Sequence, residues 1–412
     1  MKEFAIYLWK NRLLPQKALT DAQGNSVGIV AAGEEEAFGI FTNAKLKAGG
    51  EELCCNIEIQ KVELAGNRAT ITLAAESNGK ELLLQQSITM PDGLLTEYHS
   101  MADGLSRPPC ESIAARQSSI ILRDFLTRLL VERIEEKADR INKINELCDK
   151  RWDFTLFKLL ARSYGFGIQG RAFEEWAMLL NIQALGKHSN NIEQIEAIMF
   201  GQAGLLEEES IPAYYKSEAI GSEYYRTLVR EYKFLKSKFN LQQMNHSAWG
   251  YGSSAPHIRI SRLAMLFHKE RFNITSIADS NSLGALRDIL QSQPSPYWQH
   301  RTQFGGTATS GTGDLSDKQL DVLIINTVVP ILYSYGKHRH DTALCNKAED
   351  FLYEIGAENN SIVRRWTQQG VCINCAADSQ ALIQLNNAYC KQKRCAECRL
   401  AHCHFKESLS AE

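Results

Sequence analysis

The spacing of apolar residues changes near residue 110, and this change constrains the fold more than any other feature of the sequence. Before it, apolar and polar residues alternate in short runs, as in residues 69–74, which is the period of a β-strand with one solvated face. Turn sequences such as Gly49-Gly50, Gly66-Asn67 and Asn78-Gly79 separate these runs. The predicted strands cover residues 28–32, 37–46, 53–62, 69–75 and 82–90.

From residue 113 onward the apolar residues recur at helical spacing. One broad stripe runs through Ile121, Phe125, Leu129, Ile134, Ala138, Ile141 and Ile144. Arginine and glutamate occupy the opposite face, which predicts a long packed helix with one solvated side. Shorter helices are predicted as far as residue 389, and Ser316 with Gln319 has the spacing of a helix-capping box.

These patterns predict an α+β protein, in which a small N-terminal mixed β-sheet domain precedes a large, mainly α-helical body. The first boundary is expected at Arg107-Pro108-Pro109, because two prolines interrupt regular structure. The predicted domains are residues 1–107, 108–300 and 301–412, and the last is helical with a cysteine-rich tail.

The charge of the chain excludes some classes of partner. Its formal net charge is −2, so no global field draws it to DNA or to an anionic membrane. The sequence contains neither a recognisable signal segment nor an apolar window of about 18 residues. We therefore expect a cytoplasmic protein with no membrane partner.

The cysteines point to specific chemistry. Eleven cysteines are present, and six of them fall between Cys372 and Cys403. In a reducing compartment such clustering favours a metal site over disulfides. Four of these cysteines have the spacing C-x4-C-x2-C-x4-C and are the predicted metal ligands: Cys390, Cys395, Cys398 and Cys403.

Three interpretations of the cysteines remain open. The first is a zinc ion, because two thiolates from one C-x2-C turn and two further thiolates are a typical tetrahedral ligand set for zinc. An alternative zinc arrangement pairs Cys372 and Cys375 with the Cys395–Cys398 turn. An iron–sulfur cluster is the second interpretation, and reduced thiols without an ion are the third. His402 and His404 are secondary candidates for a ligand.

Basic residues surround the predicted ligands. Lys391, Lys393, Arg394 and Arg399 lie between or beside the cysteines. Such cations lower the pKa of a thiol and offset the charge of a four-thiolate site. They are also the candidate contacts to nucleic acid.

Strings throughout the helical part resemble a bacterial family without an assigned role, domain-of-unknown-function family 2851. The strings near the C-terminus are Leu323-Ile-Ile-Asn-Thr-Val-Val-Pro330, Asn360-Ser-Ile362, Asp378-Ser-Gln-Ala-Leu-Ile-Gln-Leu385, Tyr389-Cys390 and Cys395-x2-Cys398. Those upstream are Pro109-Cys110-Glu111, Leu160-Ala-Arg162 and Ile195-Glu-Ala-Ile-Met-Phe-Gly-Gln-Ala-Gly-Leu-Leu206. The resemblance covers most of residues 109–399. It implies Cys390, Cys395 and Cys398 as shared ligands, and leaves the fourth ligand open.

The resemblance also bears on the N-terminal sheet. Members of the family carry an Asp at the end of one strand and Glu-x-His on its neighbour, which resembles the Mg²⁺ site of restriction-endonuclease-like folds. In this sequence Ile40 occupies the position of the Asp, and Gln60 occupies the position of the His. Glu58 is the Glu of the Glu-x-His pattern. Hydrolysis of a phosphodiester in this way needs at least two carboxylates. Glu58 is therefore the one catalytic candidate, and we expect it to be a solvated strand carboxylate.

Three functions follow from these observations. The favoured one is a non-catalytic binding or structural protein with a C-terminal cysteine-ligated zinc ion or iron–sulfur cluster, which could bind nucleic acid or another protein. The first alternative is a divergent metal-dependent nuclease that uses Glu58. The second alternative is a thiol redox sensor, because cysteines among cations oxidise readily.

Overall fold

The computed structural model describes residues 1–14, 19–106, 109–167, 169–250, 256–269, 272–308 and 311–410. A β-sheet is followed by helices, which confirms the α+β prediction. The predicted boundary residues Arg107 and Pro108 lie outside the described residues. By its internal contacts the chain divides into two compact units. Unit 1 is Met1–Leu130, Glu358–Ile373 and Asp378–Glu412, and unit 2 is Val131–Ala357 and Asn374–Ala377.

The sheet is built from hairpins. Its strands are β1 (Leu19–Asp21), β2 (Val27–Ala31), β3 (Glu34–Ala37), β4 (Ile40–Ala48), β5 (Glu51–Ala65), β6 (Arg68–Ser77) and β7 (Lys80–Thr89). Their order is β1-β7-β6-β5-β4-β2, and β3 pairs with β4. Every pairing among the described strands is antiparallel, so the prediction of a mixed sheet was wrong. The reason is local, since Asn78 and Gly79 both have positive φ, and such two-residue turns return the chain beside itself.

One face of the sheet is buried and the other is solvated. Along β5, Cys55, Ile57 and Ile59 are buried, while Glu58 and Gln60 are exposed. The buried face meets the first helix, Lys2–Lys10, which contacts β5. The indole of Trp9 in this helix donates a hydrogen bond to the carbonyl of Ala32 at 3.0 Å. The alternating pattern of the sequence therefore corresponds to one covered face, as predicted.

Helices make up most of the remaining chain. In chain order they are α1 (Lys2–Lys10), α2 (Leu94–Ala102), α3 (Cys110–Arg116), α4 (Ser119–Leu147), α5 (Trp152–Ser163), α6 (Gly170–Leu179), α7 (Ile182–Lys187), α8 (Ile192–Gln202), α9 (Ala213–Gly221) and α10 (Glu223–Phe239). They continue with α11 (His257–His268), α12 (Ile274–Asp279), α13 (Leu283–Leu290), α14 (Asp317–Leu323), α15 (Val329–Arg339), α16 (Thr342–Glu354), α17 (Ser361–Gln368), α18 (Ala376–Gln384) and α19 (Arg399–Ser410). Short π-helical segments cover Ile324–Val328 and Leu385–Cys390. The predicted capping box is confirmed, because Ser316 and Gln319 bond reciprocally at the start of α14.

Glu196 and His257 are among the titratable side chains that unit 2 buries. The carboxylate of Glu196 accepts hydrogen bonds from Ser261 Oγ at 2.6 Å and from Tyr224 Oη at 2.7 Å. Burial raises the pKa of Glu196, and these two hydrogen bonds oppose the shift. His257 packs against the rings of Phe200 and Trp298. Burial lowers the pKa of His257 to about 3, and its Nδ1 has no hydrogen-bond partner among the described residues.

The burial of His257 predicts a loss of stability in acid. Below about pH 6.5 the unfolded chain binds a proton on this imidazole, whereas the folded chain stays neutral until the pH falls to about 3. Between pH 7.5 and 5, the free energy of unfolding of the wild type should therefore fall by about 2 kcal/mol more than that of His257→Phe. Urea unfolding at a series of pH values measures the difference. His338→Phe, which removes an exposed histidine, should retain the wild-type pH dependence, and equal slopes for all three proteins would contradict the prediction.

Candidate metal centre

Four cysteines from two distant parts of the chain line one small cavity in unit 1. Cys110 is the first residue of α3, and Cys390, Cys395 and Cys398 lie between α18 and α19. The cavity has a volume of about 10 Å³, roughly the space that one water molecule needs. The rest of its lining is almost entirely apolar and consists of Leu385, Tyr389, Leu400 and Ala401. Four cysteines therefore border a common, almost entirely apolar space.

The backbone between the last three cysteines is folded into two successive turns. The N–H of Arg394 donates to the carbonyl of Tyr389 at 3.0 Å, and Lys393 has a left-handed φ of 56°. These features close the loop that leads from Cys390 to Cys395. The N–H of Cys398 then donates to the carbonyl of Cys395 at 3.0 Å, across a short 3-10 turn. Local hydrogen bonding thus gives the C-x2-C pair the compact turn that the sequence predicts.

Opposing electrostatic effects act on Cys398, which is 5% exposed. Burial raises the pKa of its thiol to about 11, and the neighbouring Cys390 and Cys395 act in the same direction. Hydrogen bonds from the backbone N–H groups of Leu400 and Ala401, at the start of α19, act in the opposite direction. N–H donors of this kind stabilise a thiolate, while desolvation and the adjacent thiols disfavour it.

The four basic residues near the cysteines have separate surroundings. Arg394 binds Glu397 with both ends of its guanidinium, including Nε to Oε1 at 3.0 Å. Arg399 forms an ion pair with Asp124 on α4. Lys391 and Lys393 are exposed, and the side chain of Lys393 lies over Gly104. Two of the four candidate nucleic-acid contacts are therefore engaged by carboxylates of the protein itself.

The other predicted cysteine ligands do not line this cavity. Cys403 lies on α19, where burial raises its pKa and the nearby Arg399 opposes the shift. Cys372 is exposed, and Cys375 forms an isolated β-bridge with Gly356. The fourth cysteine at the cavity is Cys110.

Both histidines of the tail have partners in unit 1. His402 Nε2 lies 2.8 Å from the carbonyl oxygen of Ala396, and its ring meets the edge of Tyr7. His404 Nε2 lies 2.8 Å from Glu97 Oε1 on α2. Both imidazoles of α19 therefore contact neighbouring residues of unit 1.

The four cysteines at the cavity are of a residue type that binds metals. Four cysteine thiolates bind zinc or an iron–sulfur cluster in proteins. Within the described ranges, no three side chains of His, Cys, Asp or Glu are placed so as to hold one metal ion. Because a zinc–sulfur bond is about 2.3 Å long, a zinc ion requires all four sulfurs to converge on one point. The four cysteines line one cavity wall, but no three of them are placed to hold one ion in this structure.

Glu58 lies on the solvated face of the sheet. The register of β5 places Ile40 of β4 and Ala74 of β6 opposite Glu58. Gln60, on the same strand, is exposed on the same face. Neither adjacent strand therefore places a carboxylate directly opposite Glu58, and a hard cation would lack the second charged oxygen ligand that it needs there.

Sequence reasoning missed Cys110 as a member of the cysteine group. It lies far from Cys390 in the sequence and has no metal-binding spacing of its own. Its proximity to the tail depends on the packing of α3 against α19. The one available signal was its place in the string Pro109-Cys110-Glu111.

Comparisons with known proteins place most of the chain in one family. The model of a family described as "Protein of unknown function (DUF2851)" matches residues 66–361. The matched region contains Cys110 and ends before Cys390. No curated protein and no solved structure matches the chain. Among the described helices, none combines the length and apolar composition that are needed to cross a membrane.

The packing of α19 yields a prediction about stability. Phe405 is fully buried, and its ring centroid lies 5.9 Å from Phe4, 5.6 Å from Tyr7 and 6.3 Å from Tyr98. Phe405→Ala should lower the free energy of unfolding by about 3–5 kcal/mol, because it removes a buried ring and leaves a cavity. Urea unfolding measures the loss. Lys406→Ala changes the exposed neighbour and should stay within about 0.5 kcal/mol of the wild type, and equal losses in the two variants would contradict the prediction.

Proposed function

This chain belongs to the DUF2851 family of proteins of unknown function, and we propose that it is a non-catalytic structural or binding protein with a cysteine-ligated metal centre. The observation that carries the proposal is the shared cavity of Cys110, Cys390, Cys395 and Cys398. The centre joins the start of α3 to the segment that precedes α19. Its role is to fix the C-terminal segment within unit 1.

The chemistry of such a centre is structural. Cys110, Cys390, Cys395 and Cys398 would hold the metal, and four thiolates leave no open position for a substrate. The bound metal supplies positive charge that offsets the four thiolates. Because the site does not exist in the unfolded chain, the free energy of binding adds to that of folding. Zinc and an iron–sulfur cluster both take this ligand set, and iron analysis with a visible spectrum distinguishes them.

The alternative functions have less support. A redox-sensing cysteine is reactive as the thiolate, whereas burial raises the pKa of Cys398 to about 11. A nuclease centre at Glu58 would need a second carboxylate, and Ile40 and Ala74 occupy the opposite positions. Of the four basic residues near the cysteines, Arg394 and Arg399 form ion pairs within the protein. An association with nucleic acid would therefore depend on Lys391 and Lys393.

The identity of the fourth ligand is testable by substitution. Cys110→Ser should lose most of the bound metal, because serine removes one thiolate of the proposed set. Cys403→Ser, the same change at a thiol that does not line the cavity, should keep the wild-type content. Each protein is purified anaerobically, and its zinc and iron are measured per chain.

A second control addresses folding. Cys345 is buried in unit 2 and does not line the cavity, so Cys345→Ser reports the effect of losing a buried thiol of another site. We expect it to retain the metal. Full metal content in Cys110→Ser, or loss of the metal in Cys403→Ser with Cys110→Ser unaffected, would contradict the ligand assignment.

A further inference from the structure

A second cavity lies within unit 2 and is rich in positive charge. Its volume is about 570 Å³, within the usual range for sites that bind small molecules. Five basic residues line it: Arg133, Lys137, Arg140, Arg162 and Arg171. Two acidic residues also line it, Glu136 and Glu174. The formal charge of the lining is therefore 5 − 2 = +3.

Three helices supply these cations. Arg133, Lys137 and Arg140 recur at helical spacing along one face of α4. Arg162 is near the end of α5, and Arg171 is in the first turn of α6. The fold thus directs basic side chains from separate helices toward one space.

The two carboxylates in the lining are outnumbered by its five cations, one of which, Arg171, pairs with Glu175 outside the lining at 3.0 Å. Glu174 is shared, since it pairs with Arg140 and also lies 3.3 Å from Arg162 Nε. Burial lowers the pKa of Arg162, and the adjacent Arg140 lowers it further. Two guanidinium groups therefore repel each other across one carboxylate. An anion in the cavity would relieve this repulsion.

The remaining lining contributes apolar surface and polar backbone. The apolar residues are Ile141, Leu159, Phe166, Val322 and Pro330. Gly167 and Gly170 let a ligand approach the backbone closely, and Gly167 has a φ of 81°. Asn326 lies in a π-helical segment, where its Oδ1 accepts from Lys137 Nζ at 3.4 Å. Such π-helical segments often occur at functional sites.

We propose that this cavity binds a small organic phosphate. The phosphate groups would lie against Lys137, Arg140 and Arg162, which provide charge-assisted hydrogen bonds. The organic part would pack against Leu159 and Phe166. A bounded cavity with both kinds of lining suits a small molecule with a charged end and an apolar end. This site is independent of the proposed metal centre.

Binding to the full-length protein tests the proposal. The probes are ATP, NADP⁺ and AMP, with inorganic phosphate and adenosine for comparison, measured by isothermal titration calorimetry. We expect at least one organic phosphate to bind more than tenfold more tightly than inorganic phosphate, and adenosine not to bind. If none of the three exceeds inorganic phosphate, the proposal is wrong.

Substitutions then locate the site. Lys137→Gln should weaken binding of the best probe at least tenfold, because it removes a cation from the lining. Lys143→Gln removes an exposed cation from the same helix outside the cavity, and should change the affinity less than twofold. Glu136→Gln should strengthen binding, because it removes a negative charge from the lining. Equal affinities in the two lysine variants would overturn the assignment to this cavity.

The same experiment distinguishes a small phosphate from a nucleic acid as the ligand of this cavity. A 20-nucleotide single-stranded DNA serves as the competing probe. If the oligonucleotide binds and Lys137→Gln abolishes its binding, while the small phosphates do not bind, the cavity serves a nucleic acid and the proposal fails. If the best small phosphate binds equally well in the presence of excess oligonucleotide, the proposal is supported.

Discussion

Aromatic packing between the two ends of the chain determines the arrangement of unit 1. Phe405 of α19 meets Phe4 and Tyr7 of α1 and Tyr98 of α2. The same α1 covers the buried face of the sheet. Because α19 begins directly after Cys398, the packing of its rings also fixes where the cysteine turn lies. The contact of α19 with α3 then brings Cys110 to that turn.

The cysteine cavity combines burial, adjacent thiols and hydrogen-bond donors. Dehydration and the neighbouring sulfur atoms disfavour a thiolate at Cys398, whereas two backbone N–H groups favour it. A thiol that served only as a small apolar side chain would need no such donors. A thiolate bound to a cation benefits from them, since outer hydrogen bonds orient ligands and tune their charge. The geometric reason to propose the four cysteines as a site is the small, almost entirely apolar cavity that they line together.

Features set by neighbouring residues were predictable from the sequence, and those set by distant packing were not. The alternation along β6, the turn at Asn78-Gly79 and the cap at Ser316 depend on local chemistry, and each agrees with its prediction. The sheet was predicted to be mixed because single strands do not reveal their partners. Cys110 could not be assigned by spacing, since its neighbours come from the other end of the chain. The basic cavity of unit 2 was also missed, because its cations are spread over three helices.

The central claim is that four cysteines from two ends of unit 1 bind one metal centre. X-ray absorption spectroscopy at the zinc and iron edges of the anaerobically purified protein tests it most directly. The account predicts a stoichiometric metal whose nearest shell consists of sulfur alone, at about 2.3 Å for zinc. A protein without stoichiometric zinc or iron, or a nearest shell dominated by nitrogen and oxygen, would contradict it.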